Sequence, residues 1–139
     1  MNILYQGHAS LRLTTSLGTV VYIDPCAGEG YEAPADIILV THFHCDHSMV
    51  EKPARKPDCF ILSSRDMLVN DVYKTVMVRD VRIEAVPAYN RNHRRSESVG
   101  YLVFADGVKC YFSGDTSRIP EMAELREREL DYAFFASDG

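Results

Sequence analysis

The sequence lacks the features that mark secreted and membrane-bound proteins. No run approaches the ~20 apolar residues of a membrane span, and residues 1–8 have neither the basic start nor the apolar segment of a signal peptide. The four cysteines are widely spaced and form no Cys-x-x-Cys pair. We therefore expect a cytoplasmic protein without a membrane partner and with reduced thiols, and a structural disulfide is the less favoured alternative.

A surplus of basic residues is also absent. The formal net charge is −5 and the isoelectric point is about 5.5. The bulk charge does not favour a polyanionic partner, so we expect no nucleic-acid binding. A nuclease stays open as an alternative, because a local site can override the net charge.

Size and composition predict one domain that spans residues 1–139. Hydrophobic residues make up 46% of the chain and charged residues 25%, which is ordinary for a globular protein with a core. Period-two alternation, β-branched residues and turn signals predict mostly strands. The expected strands are 2–5, 11–15, 19–23, 37–41, 59–62, 73–78, 81–87, 99–105, 108–113 and 131–136.

Helices are few in this prediction. A capped helix is expected at 63–69 and another at 119–128, and a short one would follow Asp46 or Ser48 and end at Pro53. Asp106-Gly107 between two apolar runs predicts a tight hairpin.

The feature that organises the chain is a short histidine-rich segment. Three of the five histidines fall between residues 42 and 47, with Asp46 among them, directly after the apolar run 37–40. In an extended segment His42 and His44 point to the same side, whereas Asp46 and His47 require a turn that lets them serve a second ion. A lone histidine here would be a solvated residue, but this combination favours metal binding.

Polar residues recur where apolar strands end. Asp24, His42 and Asp115 each follow a predicted strand. Side chains held at strand ends sit on a rigid frame, which a metal site requires.

The ordered motifs resemble the metallo-β-lactamase superfamily. The segment 42–47 has the pattern His-x-His-x-Asp-His, and the resemblance runs the length of the chain. The other pieces are Ile23-Asp24-Pro25, His93, and Tyr111-Phe112-Ser113-Gly114-Asp115-Thr116. Gly7-His8-Ala9-Ser10, Pro87-Ala88-Tyr89-Asn90 and the end 131–139 look like the branch that includes ascorbate-6-phosphate lactonases.

The resemblance implies a fold and a cofactor. The fold would be an α+β, αββα sandwich whose second layer is incomplete, with apolar surface near 131–136 that favours self-association into a homo-oligomer. The cofactor would be a divalent metal, Zn first with Mn or Fe as alternatives, and up to two ions.

The resemblance also assigns roles. One ion would be held by His42, His44 and His93, and the second by Asp46 and His47. Asp115 would bridge both, and Asp46 would also act in catalysis by orienting a water. Taken alone, His93 would be a solvated loop residue and Asp115 a turn residue.

Supporting roles go to three further residues. Asp24 would orient the histidine loop through hydrogen bonds, although an aspartate before proline is equally a turn former. His8 would be structural or a support for a ligand rather than a ligand itself. Cys45 would point away from the site and pack.

The sequence departs from the family at the second ion. No histidine follows His93, whereas the family has a last histidine that completes the second site. The second ion would therefore lack one ligand.

The expected function is a metal-dependent hydrolase that uses a metal-bound hydroxide. Its substrate would be a small, anionic ester, lactone or phosphodiester, bound by Arg91, Arg94 and Arg95 unless these line a solvated loop. The main alternative is a metal-binding protein, or a truncated form, without hydrolytic turnover.

Overall fold

Two five-stranded sheets form the protein in this computed structural model, which describes residues 1–136. In spatial order, the strands of the first sheet are β1 (Asn2–Gly7), β2 (Ser10–Thr14), β3 (Val20–Ile23), β4 (Ala35–Val40) and β5 (Arg55–Ser63). A small ribbon pairs β6 (Leu68–Val69) with β7 (Val72–Tyr73). The second sheet contains, again in spatial order, β8 (Thr75–Val78), β9 (Val81–Pro87), β10 (Val99–Ala105), β11 (Val108–Phe112) and β12 (Tyr132–Phe134).

Strand direction follows from the sequence pattern. β3 and β4 are buried at every position and run parallel, as expected for continuous apolar runs covered on both faces. β9 alternates buried and exposed residues over its first half and pairs antiparallel with β8 and β10. The predicted Asp106-Gly107 hairpin joins β10 to β11, and both residues have positive φ.

The main core lies between the two sheets. Leu13, Val21 and Leu39 from the first sheet belong to the same buried cluster as Ile83 and Val103 from the second. Tyr101 links the sheets further, because its buried hydroxyl donates to the carbonyls of Val40 and Leu62, each at 3.1 Å. The chain therefore has the predicted sandwich of two facing sheets.

The helices are shorter than the sequence predicts. α1 (Ser64–Met67) is a single turn, and the residues expected to extend it, 68–69, form β6 instead. Its start is capped, as predicted, and the cap is a capping box between Ser63 and Asp66. The segment Pro120–Arg128 is a 3₁₀ helix without a buried residue.

The predicted short helix after Asp46 or Ser48 is wrong. Residues 41–54 form turns and bends, and the Ser48 hydroxyl donates to the carbonyl of His44 at 2.8 Å rather than capping a helix. This irregular path is what lets Asp46 and His47 turn back towards the end of β4.

The last described strand leaves apolar surface exposed. β12 pairs parallel with β11, and Tyr132 and Phe135 are about half exposed. The self-association expected from this surface stays a prediction. Residues 137–139, which the family resemblance included, lie outside the described part of the chain.

Within residues 1–136, no helix has the length and apolar character needed to cross a membrane.

Candidate metal centre

Five connections meet at one edge of the sandwich. β3 and β4 are parallel, so Asp24 and Thr41, which follow them, lie side by side. The hydrogen bond from Val99 N to Thr41 O, 3.0 Å long, brings the start of β10 to the same edge. The β1–β2 turn, the loop 88–98 and the segment after β11 complete the edge. Each delivers at least one histidine or carboxylate.

Asp24 anchors the histidine loop. Its carboxylate accepts the Thr41 amide at 2.7 Å, the Thr41 hydroxyl at 2.6 Å and Nδ1–H of His47 at 2.8 Å. Burial raises the pKa of Asp24, and the hydrogen bonds from His47 and Thr41 oppose that effect. Its left-handed backbone, at φ 43°, turns the chain away from β3. The supporting role predicted for Asp24 fits this geometry.

The same contacts fix the tautomer of His42. The Thr41 hydroxyl donates to Asp24, so it accepts Nδ1–H of His42 at 3.0 Å. The lone pair of His42 therefore lies on Nε2, which is buried and has no hydrogen-bond partner among residues 1–136. Burial and the neighbouring His47 lower the pKa of His42 to about 3, which keeps the ring neutral.

His47 is held in the same way as His42, through its Nδ1. Its Nδ1 donates to Asp24, and its buried Nε2 has no hydrogen-bond partner in the described residues. Asp115 Oδ1 lies 3.4 Å from that Nε2. Burial disfavours the charged ring, but the carboxylates of Asp115 and Asp24 outweigh it and raise the pKa of His47 to about 10. A cation other than a proton would be attracted to the same place.

His93 comes from the loop 88–98 and meets His44. Asn90 Oδ1 accepts both the His93 amide and its Nδ1–H, each at 2.9 Å, which directs Nε2 inward. Nε2 of His93 lies 3.1 Å from Nδ1 of His44. The loop is held by Thr116, whose hydroxyl is 3.0 Å from both the amide and the carbonyl of Tyr89.

Asp115 lies between the two ends of the cluster. Its carboxylate is 3.4 Å from His47 Nε2, 3.9 Å from His42 Nε2 and 3.6 Å from His93 Nε2. The close approach depends on Gly114, because a Cβ there would lie 2.9 Å from Cβ of Thr41. The hydrogen bond and charge of His47, with smaller effects from His42 and His93, lower the pKa of Asp115 to about 2, although burial opposes the shift.

The donors form three overlapping groups of three residues. Within each group, the ligand atoms lie within 4.8 Å of one another. The groups are His42–His44–His93, His42–His47–Asp115 and His8–Asp46–His47. A metal fits the buried Nε2 atoms of His42 and His47, which have no hydrogen-bond partner within residues 1–136, since a buried nitrogen without a partner is costly. The structure thus brings together all six predicted metal ligands. Their function as ligands stays a prediction.

Two expectations for neighbouring residues need comment. His8 was expected to be structural or supporting, yet its Nε2 lies 3.1 Å from Asp46 Oδ2, in the donor group just described. Its signal in the sequence was weak, because a single histidine in a turn carries no local pattern. Cys45 is exposed, so the predicted packing role is wrong.

The arginine cluster separates in the structure. Arg94 lines a cavity of about 430 Å³ beside His44 and His93. Arg95 instead pairs with Glu121 at 3.3 Å, outside that cavity. Arg65, which sequence analysis missed, lines the cavity with its guanidinium 4.1 Å from the ring centre of Phe43. Arg65 is far from the motif in sequence, so only the fold reveals it.

Comparison with known proteins shows the family. The profile of the beta-lactamase superfamily domain matches residues 2–133. The chain belongs to the beta-lactamase superfamily. This confirms the family that the motifs indicated, together with its α+β metallo-β-lactamase fold.

Two relatives in the superfamily are longer than this chain. A metal-dependent hydrolase from Methanoculleus marisnigri is 28% identical over 91% of this chain and 63% of its own length. A crystal structure of a candidate metal-dependent hydrolase from Parabacteroides distasonis is 33% identical with a TM-score of 0.80, and the match covers 96% of this chain and 68% of that one. The chain therefore spans about two thirds of these relatives.

A more distant superfamily structure shows the fold alone. It is a candidate zinc-dependent hydrolase from Thermotoga maritima, 20% identical with a TM-score of 0.66. The match covers 94% of this chain and 58% of that one.

Proposed function

We propose that this chain carries the centre of a metal-dependent hydrolase that cleaves an ester, lactone or phosphodiester bond in a small anionic molecule. The observation that carries the proposal is the set of overlapping donor groups, with Asp115 within 4 Å of histidines from both ends. Relatives that bear the name metal-dependent hydrolase support it.

The chain's own residues divide into two sets of ligands. His42, His44 and His93 would hold one ion, Asp46 and His47 would hold the second, and Asp115 would reach both. Imidazole and carboxylate donors suit zinc best, and they also accept manganese or iron. When bound, the ions would act as Lewis acids and lower the pKa of a bound water towards 7, which supplies the hydroxide for hydrolysis.

Asp46 is suited to orient that water. Burial raises the pKa of Asp46, but its backbone hydrogen bond and the neighbours His47 and His8 outweigh that effect. The net pKa lies below the usual value, so the carboxylate is ionised at neutral pH. About half of the side chain is exposed, which leaves an oxygen free to accept a proton from water.

The cavity beside the first group supports an anionic substrate. Arg65 and Arg94 line it together with His44 and His93, so two cations face the space next to the metal ligands. Arg94 also lies 3.5 Å from Glu97, and both side chains are exposed. A substrate carboxylate or phosphate can therefore take the place of Glu97 beside Arg94. Guanidinium groups bind such anions through paired hydrogen bonds.

A cytoplasmic setting is part of the proposal. All four cysteines are free thiols in the structure, which supports a reducing compartment. The partner we propose is a small molecule rather than a nucleic acid or a membrane.

Metal content and turnover test the proposal together. We expect about two ions per chain and hydrolysis of some member of a panel of lactones, esters and bis-nitrophenyl phosphate with zinc or manganese. Asp115→Ala should abolish that hydrolysis. Two bound ions with no turnover on any substrate would favour the alternative, a metal-binding protein without activity.

Substrate charge is tested separately. Arg65→Ala and Arg94→Ala should each raise KM for an anionic substrate about tenfold or more, because a charged hydrogen bond contributes roughly 1.5–3 kcal/mol. KM for a neutral ester should change little. The control is Arg82→Ala, since Arg82 pairs with Glu84 on β9 and lies outside the cavity. Unchanged KM values in both cavity variants would contradict anion recognition there.

A further inference from the structure

His8 reaches the metal centre from a part of the chain that the motifs do not include. β2 runs antiparallel to β3 with Leu11 opposite Ile23, so the β1–β2 turn lies beside the end of β3. Gly7 and His8 both have positive φ, 120° and 50°, and a left-handed backbone is unusual for histidine. The turn places the imidazole next to the histidine loop.

The ring lies against both predicted ligands of the second ion. His8 Nε2 is 3.1 Å from Asp46 Oδ2, and the ring centres of His8 and His47 are 5.3 Å apart. His47 Nε2 lies 3.8 Å from the same Asp46 oxygen. One donor atom from each of the three residues falls within 4.8 Å of the others.

Among the described residues, the second ion has fewer predicted donors of its own than the first. His42, His44 and His93 make a complete set of three imidazoles, but Asp46 and His47 alone make only two donors. We infer that His8 is a ligand of the second ion. With Asp115 shared, the second ion then has two imidazoles and two carboxylates, which is the number and type of donors that four-coordinate zinc takes.

This inference rests on the metal centre proposed above and extends it. It also explains why all five histidines of the chain, His8 included, lie in one cluster. The competing explanation is that His8 only donates a hydrogen bond to Asp46 and so positions that carboxylate. The two explanations differ in whether glutamine can take over the function of His8.

His8→Gln and His8→Ala separate them. A glutamine amide can donate a hydrogen bond to Asp46, but it is a poor zinc ligand. If His8 is a ligand, both variants should bind one ion in place of two. Each should reduce the affinity for the second ion by more than about 100-fold. Loss of a group that only supports a ligand reduces metal affinity by roughly 10–100-fold. Metal analysis and calorimetric titration with zinc measure this.

His44→Gln is the matched variant from the other group. It should lose the first ion and retain the second, and the double variant His8→Gln/His44→Gln should lose both. Tyr5→Phe, an exposed change near the turn, should retain two ions. Retention of two ions with unchanged affinity in His8→Gln would overturn the inference, as would loss in His8→Ala alone.

Cobalt substitution gives a second readout that does not depend on affinity. Coordinated imidazoles show strongly shifted, exchangeable N–H proton signals in the Co²⁺ protein. At Co²⁺ concentrations that fill both sites, we expect five such signals in the wild type and four in His8→Gln, because His47 stays coordinated; four in both would overturn the inference. If the wild type binds no metal at all, the proposed function fails as well. If the wild type binds two ions and His8→Gln is unaffected, only the ligand role of His8 is contradicted.

Discussion

Nδ1 of His47 donates a hydrogen bond to Oδ2 of Asp24 across 2.8 Å, and both side chains are buried. The contact joins the end of β3 to the histidine loop. It also decides which nitrogen of His47 can bind a metal, because Nδ1 is occupied by Asp24 and only Nε2 can offer a lone pair once its proton is displaced.

Asp24→Asn should therefore weaken metal binding although Asp24 touches no metal in the proposed centre. The amide retains an oxygen for Thr41 but loses the charge that orients His47. We expect about 10–100-fold weaker binding of the ion that His47 holds, measured by competition with a chelator. Asp58→Asn is the control, since Asp58 is an exposed partner of Arg79. Wild-type affinity in Asp24→Asn would contradict this role.

Metal binding should release a proton near neutral pH. In the metal-free protein the carboxylates of Asp115 and Asp24 overcome the effect of burial and raise the pKa of His47 to about 10, so its ring carries a proton that a metal must displace. His42 contributes none, because burial and His47 lower its pKa to about 3. Calorimetric titration at pH 7.5 in buffers of different ionisation enthalpy should show at least about one proton released, from His47, besides any proton that a bound water loses. Heats that are independent of the buffer would contradict this.

The stability of the metal-free protein should follow the same proton. The pKa of His47 is about 10 in the folded state and about 6.5 when unfolded, so the folded state holds more protons between these values. The free energy of unfolding should fall as pH rises from about 6.5 to 10, and this part of the slope should disappear in His47→Gln. Urea denaturation at several pH values measures both slopes. Equal slopes would show that His47 is not responsible.

Gly114→Ala should destabilise the protein and loosen the centre. The new Cβ would meet Thr41 Cβ at 2.9 Å, and φ is +57°. The matched control is Gly107→Ala, where φ is +75° but nothing lies within 4 Å. The backbone penalty of about 1–2 kcal/mol is common to both, and the clash should add roughly 1–3 kcal/mol to Gly114→Ala alone.

Urea denaturation measures this difference, and a zinc titration shows whether Asp115 has moved. We expect weaker zinc binding only in Gly114→Ala. Equal effects of the two variants would mean that the loop yields to the extra methyl group.

Two fully buried tyrosines on adjacent strands should respond in opposite ways to loss of a hydroxyl. Tyr101 donates to two carbonyls of the first sheet, so Tyr101→Phe should cost about 1–2 kcal/mol. Tyr111 has no hydrogen-bond partner for its hydroxyl within residues 1–136, so Tyr111→Phe should be neutral or stabilise by up to about 1 kcal/mol. Chemical denaturation tests both, and a larger loss in Tyr111→Phe would reverse the assignment.

The strands and the edge that holds the site could be predicted because they depend on local pattern. β3, β4 and the Asp106-Gly107 hairpin follow from apolar runs and turn residues, and Asp24, His42 and Asp115 were located by the strands that precede them. The family resemblance then supplied His93, which the residues alone did not single out.

What could not be predicted depends on tertiary contacts or on weak local preferences. The segment 120–128 has helix-forming residues but no apolar stripe, and in the structure it forms a 3₁₀ helix without a buried residue. His8 and Arg65 reach the site only because β2 lies beside β3 and β5, which leads into α1, lies beside β4. Neither neighbour relation can be read from residues close to them in sequence.

The donor residues are divided unequally between the sheets. The first sheet and its loops carry His8, His42, His44, Asp46 and His47, whereas His93 and Asp115 arrive only with the second. A chain in which the first sheet alone has formed would already present five donors, yet neither ion could have its full set. Zinc supplied during refolding would therefore be held loosely until the sheets dock. The rate at which zinc dissociates should therefore fall when the two sheets dock. Measured during refolding, this rate reports when docking occurs.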